Sequence, residues 1–375
     1  MAGIYIHVPF CTSRCIYCDF YSQTNPEYKT AYVQAVVSEL ALRKFYLGHE
    51  SIGTIYFGGG TPSLLQATDF DVIFDSIHRH YHVLPDAEIT LEANPDDLTP
   101  TCLSSLHPFP FNRISLGVQS FDDNDLQMLH RRHNGRQAIE AVHKCRDKGY
   151  ANISIDLMYG LPGQTPERWE NNLHKALELN TPHLSAYHLT YEEGTPINRQ
   201  AQAGLIQPVS EETSERLFYT LINVLTQAGY LHYEISNFCL PDMFSRHNTA
   251  YWNGTKYLGV GPAAHSYDGH SRQWNVASLT DYIAGMMNNA PLFENETLDV
   301  RTRYNEYVMT RLRTMWGINC SSVRDKFGQA LYDHFLRQIQ PYLRCGLLQK
   351  TDKNVFLAPK GLFISDGIIR NLIKV

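Results

Sequence analysis

At 375 residues with 43% hydrophobic content, the chain can bury a large core and excludes a disordered or fibrous protein. A formal net charge of -6 gives no overall basic bias, so capture of a nucleic-acid backbone has no general support. No apolar run approaches the roughly 20 residues that cross a bilayer, which predicts a soluble chain and leaves only peripheral membrane contact open.

Met1 to Val8 runs straight into an apolar strand pattern without a basic segment or a long apolar stretch behind it. Export is therefore not expected, and a cytoplasmic location is. From there to about Leu189, short apolar runs alternate with longer amphipathic ones, the pattern of β-α units around a parallel sheet. Strands are predicted at Ile4 to Val8, Thr54 to Phe57, Glu88 to Glu92, Arg113 to Gly117, Ile153 to Met158 and His183 to His188. The intervening helices are predicted at Tyr28 to Lys44, Asp69 to His80, Thr101 to Leu106, Gly135 to Lys148 and Thr165 to Leu179. Ala138, Ala141, Val142 and Cys145 show the spacing that turns one helix face to the sheet.

Six such units predict an α/β fold built on a partial (β/α)6, TIM-like barrel, although periodicity alone does not separate it from an open doubly wound sheet. Polar or glycine residues close nearly every strand, at His7, Gly58 to Thr61, Glu92 to Pro95, Gln119 and Gly160 to Gly163. In parallel β/α architectures that rim is where ligands sit. Beyond Gly194 come a helix at Glu211 to Ala228, a strand at Tyr230 to Ser236 and a polar loop carrying His247. After about Asp299 the pattern turns mainly helical, with amphipathic runs at Thr302 to Arg313 and Ala330 to Cys345, a small hairpin at Leu347 to Leu357 and a last helix. Residues 1–295 and 296–375 are accordingly expected to form two domains. Tyr304, Tyr307 and Trp316 are spaced as a packing face, and without a basic stripe this module is not expected to bind DNA.

Eight cysteines are too sparse for a disulfide scaffold, and three crowd into Cys11-Thr12-Ser13-Arg14-Cys15-Ile16-Tyr17-Cys18, on a loop after the first strand. Full thiolate ligation of a four-iron cubane needs four cysteines, so three leave one iron open to an exchangeable ligand. Tetrahedral zinc with a histidine or distant cysteine as fourth ligand is the inorganic rival, and would make the chain a zinc-stabilised scaffold. Structural cysteines are the plainer reading, yet core residues rarely crowd a polar loop. Gly58-Gly59-Gly60-Thr61-Pro62 follows the second strand, where glycines either turn the chain or let its backbone approach a ligand.

The Cys-x-x-x-Cys-x-x-Cys spacing with Tyr17 before the last cysteine, joined to the glycine run, resembles the radical SAM superfamily. That resemblance implies a [4Fe-4S] cluster on Cys11, Cys15 and Cys18 with S-adenosylmethionine on the open iron. It further implies that Gly59, Gly60 and Thr61 contact the methionyl amino group, with Glu92 as a charged acceptor nearby. Arg113 to Phe121 and Ile155 to Gly163 are similar to segments of the coproporphyrinogen oxidase and heme chaperone branch. By that likeness Gln119 and Asp156 hold the ribose, Arg131 pairs with the methionyl carboxylate, and Tyr5, Thr190 and His265 lie near the cofactor. Arg131 also belongs to His130-Arg131-Arg132-His133, which reads equally as a solvated basic helix end.

Oxygen-independent coproporphyrinogen oxidases carry a further cysteine two places after the third, where this chain has Phe20, and a long arm before the cluster, whereas Cys11 stands near the start. His247-Asn248-Thr249-Ala250-Tyr251-Trp252 is similar to the His-Asn-x-x-Tyr-Trp motif of HemW-type heme chaperones. A lone histidine among 17 would ordinarily be structural or exposed. In this context His247 is expected to be an axial ligand of heme iron. The resemblance thus implies a chaperone passing heme to an acceptor protein, fed by an electron donor such as flavodoxin or ferredoxin. The enzymatic alternative is radical decarboxylation of coproporphyrinogen III in porphyrin biosynthesis.

Overall fold

The computed structural model describes residues 1–375. Its first six strands are β1 (Ala2–Val8), β2 (Ile52–Gly59), β3 (Val83–Ala93), β4 (Arg113–Gln119), β5 (Asn152–Tyr159) and β6 (His183–His188). They pair in parallel and in sequence order. A doubly wound sheet reverses its strand order at a switch point, and this run has none, so the winding is that of a barrel. The helices between them are α1 (Lys29–Leu42), α2 (Ala67–His80), α3 (Pro100–Leu106), α4 (Asp123–Met128), α5 (Gly135–Asp147) and α6 (Pro166–Glu178).

The strand sequences alternate over most of their length, and the alternation divides two environments. Ile4, Ile6, Val8, Ile55, Phe57, Leu91, Ile114, Leu116, Ile153 and Ile155 are buried in one core of 58 residues that includes the inner faces of the helices. The other face carries polar side chains that bond one another across the barrel interior: Tyr5 with His7, Tyr56 with Glu92, Ser115 with Asp156, Ser154 with His183. Parallel strands covered on both faces usually read as continuous apolar runs. Here one face encloses a polar interior, which leaves it free to hold a ligand.

The barrel stays open. Next come α7 (Pro196–Gln202), α8 (Glu211–Gln227), β7 (Leu231–Glu234), β8 (Asn237–Cys239), α9 (Arg246–Asn253), β9 (Tyr257–Val260), β10 (His265–Tyr267), β11 (Ser271–Asn275), α10 (Leu279–Met287) and β12 (Phe293–Thr297). One edge of the sheet continues from β6 through β8 to β7, and the other from β1 through β9, β10 and β11 to β12, making twelve strands in all. The predicted strand at Tyr230 to Ser236 is β7, which forms a hairpin with the following β8. The segment predicted as a polar loop around His247 is a helix, with Ser245 capping its first turn and Gly254 closing it at φ 69°.

The remaining chain forms α11 (Val300–Leu312), β13 (Ile318–Asn319), α12 (Cys320–Phe327), α13 (Gln329–Arg344), β14 (Leu348–Lys350), β15 (Asn354–Leu357) and α14 (Ser365–Leu372) around a separate core of 13 residues. Tyr304 lies at the centre of that core, and Trp316 packs against Tyr233 and Phe244 of the barrel unit. No helix is long and apolar enough to cross a membrane.

Candidate functional site

A cavity of about 540 Å³ opens at the C-terminal ends of β2 to β6, with the cysteine loop after β1 as one wall. Cys11, Cys15 and Cys18 all line it, partly exposed and free of disulfides. Burial raises the Cys18 thiol, and Cys15 and Cys11 lie close enough to push it further the same way. No three His, Cys, Asp or Glu side chains gather closely enough to hold a single metal ion.

The glycine run holds that loop in place. Gly60 N donates to Val8 O at 2.8 Å and Thr61 N to Phe10 O at 2.7 Å. A Cβ at Gly60 would stand 2.7 Å from Phe10 O, and one at Gly59, whose φ is +101°, 2.5 Å from the His7 ring. Glycine is therefore required at both positions for packing against the stem of the cysteine loop, whatever ligand its backbone also meets. The Thr61 hydroxyl donates to Cys11 Sγ at 3.7 Å and accepts from Asn94 Nδ2 at 3.1 Å.

Arg131 follows α4 and turns back into the cavity. Its guanidinium donates to Cys15 Sγ at 3.3 Å, Asn94 Oδ1 at 2.7 Å and Gly117 O at 2.6 Å, while its buried Nε has no partner. The solvated basic helix end that the sequence also allowed is therefore not its environment. Asn94, seen in the sequence only as strand punctuation, is the hub joining Thr61 to Arg131.

Glu92 accepts from Tyr56 OH at 2.6 Å and from Gly59 N at 3.1 Å. Burial nevertheless raises its carboxyl to about 7, with the Asp156 charge adding to the effect. Asp156 is likewise raised by burial, against the pull of Ser185, Arg113 and Ser115. Gln119 ends β4 at φ 64°, in the left-handed region rarely taken outside glycine, and lines the same cavity. Such outliers concentrate at ligand sites. Thr190 lines the cavity too, just beyond β6.

Three expected positions do not line it. Tyr5 points into the barrel interior, bonded to His7 Nδ1 at 3.0 Å, and His265 stacks on Trp274 at 5.8 Å on the sheet extension. His247 corrects the sequence reading most. Its ring is 2% exposed, Nδ1 meets Thr54 Oγ1 at 2.9 Å and Nε2 meets the Tyr251 hydroxyl at 3.0 Å, so neither nitrogen is free for an iron. It also stacks on Tyr56 at 4.8 Å, and burial, with Arg113 nearby, lowers its pKa to about 3.

The sequence missed Tyr56, Asn94 and Arg113. Arg113 is 1% exposed inside the barrel, and two of its guanidinium nitrogens lack partners. An arginine within a predicted strand, on the face opposite Ile114 and Leu116, was the available sign that the barrel interior is polar.

Residues 5–176 match the radical SAM superfamily and residues 298–364 the HemN C-terminal domain. The chain is 32% identical over 380 residues to the heme chaperone HemW of Mycobacterium tuberculosis strain H37Rv, covering 99% of this chain and 94% of that protein. It is 32% identical over 375 residues to the heme chaperone HemW of Bacillus subtilis strain 168, covering 98% of each. Among solved structures, coproporphyrinogen III oxidase (HemN) of Escherichia coli aligns with a TM-score of 0.86 at 24% identity, over 100% of this chain and 90% of that one. At that identity the likeness is one of fold.

Proposed function

We propose that this chain, which belongs to the HemW heme chaperone family of the radical SAM superfamily, binds heme and passes it to an acceptor protein, using a [4Fe-4S] cluster and S-adenosylmethionine held in the rim cavity. The observation that carries the reading is the convergence of three thiols, two buried carboxyls, Gln119 and Arg131 on one cavity at the C-terminal ends of the strands.

Cys11, Cys15 and Cys18 would hold the cluster. A single zinc ion, bound at about 2.3 Å by each sulfur, needs its donors gathered around one point. A cubane takes its thiolates on different irons, a role open to three cysteines of one short loop that share a cavity. Arg131 donates a hydrogen bond to Cys15 Sγ, and Thr61 donates one to Cys11 Sγ, so both sulfurs are oriented in the cavity. When bound, the cluster supplies one electron and an iron with an open coordination position.

The remaining donors suit a small molecule carrying an amino acid and a ribose. Glu92 and the backbone at Gly59 and Gly60 present acceptors for an amino group. The unpartnered Nε of Arg131 offers a charge-assisted bond to a carboxylate, and Gln119 with Asp156 can accept and donate to ribose hydroxyls.

Anaerobic reconstitution followed by iron counting, S-adenosylmethionine titration, heme titration and a porphyrinogen product assay on one sample tests the reading. About four irons per chain by the cubane stoichiometry, saturable uptake of both ligands and no decarboxylation are expected. Formation of protoporphyrinogen would overturn the chaperone assignment. A colourless protein with zinc and no iron would overturn the cluster.

A further inference from the structure

A second cavity of about 460 Å³ lies between the barrel unit and the C-terminal unit, and it shares no lining residue with the first. Its size falls in the range of small-molecule sites. Trp252 comes from α9, Tyr257 and Tyr267 from β9 and β10, Tyr307 from α11 and Phe327 from α12, so five elements each bring an aromatic ring to its lining. Tyr307 is therefore not only the packing residue its spacing predicted.

Four cations also line this cavity, with one acid among them. That acid, Glu306, is already bridged to Arg272 at 2.7 Å. Arg303, Arg311 and Lys326 have no carboxylate in ion-pair reach, and Arg303 Nε is buried without any partner. Arg311 is held by Asn253 Oδ1 at 2.7 Å, and Lys326 lies 5.2 Å from the centre of the Tyr307 ring. Three unneutralised cations repel one another, and a dianion placed among them would remove that repulsion. Aromatic walls select a flat apolar body, and the cations select the charge it must carry.

We propose that this cavity takes a planar tetrapyrrole dicarboxylate, heme in the reading above on which this assignment rests, with its carboxylates paired to Arg303, Arg311 and Lys326. The ring lies against Trp252, Tyr257, Tyr307 and Phe327. The assignment also gives the motif on α9 a physical role. His247, shut inside the barrel, holds the Tyr251 hydroxyl, and Tyr251 and Trp252 form the wall of the cavity. His247 is then a positioning residue, acting through Tyr251.

The test is titration of the anaerobically reconstituted full chain with heme, protoporphyrin IX and protoporphyrin IX dimethyl ester, followed by Soret absorbance and tryptophan quenching. Both free acids should bind, and the uncharged ester should bind at least about tenfold more weakly, the scale of one lost charge pair. Arg303→Glu with Lys326→Glu should weaken heme binding by at least about the same factor, whereas Arg303→Lys should keep it. Iron content and melting temperature of each variant report folding separately, and should the double variant not fold, the ester and Arg303→Lys still decide. Heme affinity should be unchanged in saturating S-adenosylmethionine. Equal binding of ester and acid, wild-type affinity in the folded double variant, or competition with S-adenosylmethionine would place heme elsewhere and leave the chaperone reading standing. A wild-type chain that takes up no heme would instead defeat that reading itself.

Discussion

Glu92 sits inside the barrel with two donors on its carboxyl and still holds its proton to about 7, because burial outweighs them. A carboxyl raised above its ordinary value of 4.5 binds a proton in the fold that the unfolded chain has already released. Its contribution to stability therefore falls as pH rises from 4.5 to about 7, and is level above that. Glu92→Gln should flatten this part of the pH dependence of the melting temperature in the cluster-free protein. Part of the slope will persist, since Glu234 is also raised to about 7 by burial. The same variant should weaken S-adenosylmethionine binding by about tenfold, the loss of one hydrogen bond to a charged acceptor, measured by calorimetry on reconstituted protein. Gly60 makes a second residue-scale case. A methyl there would meet Phe10 O and Val8 O, both backbone atoms that cannot rotate away. Gly60→Ala should cost about 1–3 kcal/mol and lower the iron retained after reconstitution, because the clash falls on the stem of the cysteine loop.

At the scale of elements, α9 is the instructive case. It packs on β1 and β2 through His247, whose partner Thr54 is 193 residues away in sequence. His247→Ala would leave the Thr54 and Tyr251 hydroxyls without their shared partner in the barrel interior. A loss of about 1–3 kcal/mol in denaturant unfolding is expected, with iron content unchanged because the cluster loop is not involved. The fold holds the imidazole neutral down to about 3, so below the ordinary 6.5 the unfolded chain takes up a proton that the fold refuses. The stability difference between wild type and variant should therefore shrink as pH drops from 6.5. The helix itself was legible in principle: Ser245 before it and Gly254 after it are capping residues at the right separation. The same holds for α4 behind Asp122 and α7 behind Thr195-Pro196. Each is short, and a polar sequence of eight residues or fewer carries too few apolar positions for periodicity to register.

For the whole molecule, hydrophobic cores of 58 and 13 residues are joined by the ion pair of Arg272 with Glu306, the Arg311 bond to Asn253 and the packing of Trp316 on Tyr233 and Phe244. A cluster bound only by the folded cysteine loop stabilises the unit that carries it. Chelating the iron from reconstituted protein should lower the melting temperature of the barrel unit and leave unfolding of residues 300–372 unmoved, read by hydrogen exchange along the chain. A uniform shift over both units would show that they unfold together.

The sequence by itself determined the order of the six β-α units, the loop with three cysteines, the glycine run behind it and the helical C-terminal module, because each is written in contiguous residues whose spacing follows a helix, a strand or a metal ligand set. Only the tertiary structure decided that the barrel interior is polar, that His247 is buried with both nitrogens engaged, and that Trp252, Arg303 and Lys326 border one cavity. Those facts depend on which strand edges and helix faces meet across long separations, and such meetings are set by packing of the whole chain, to which local spacing is blind.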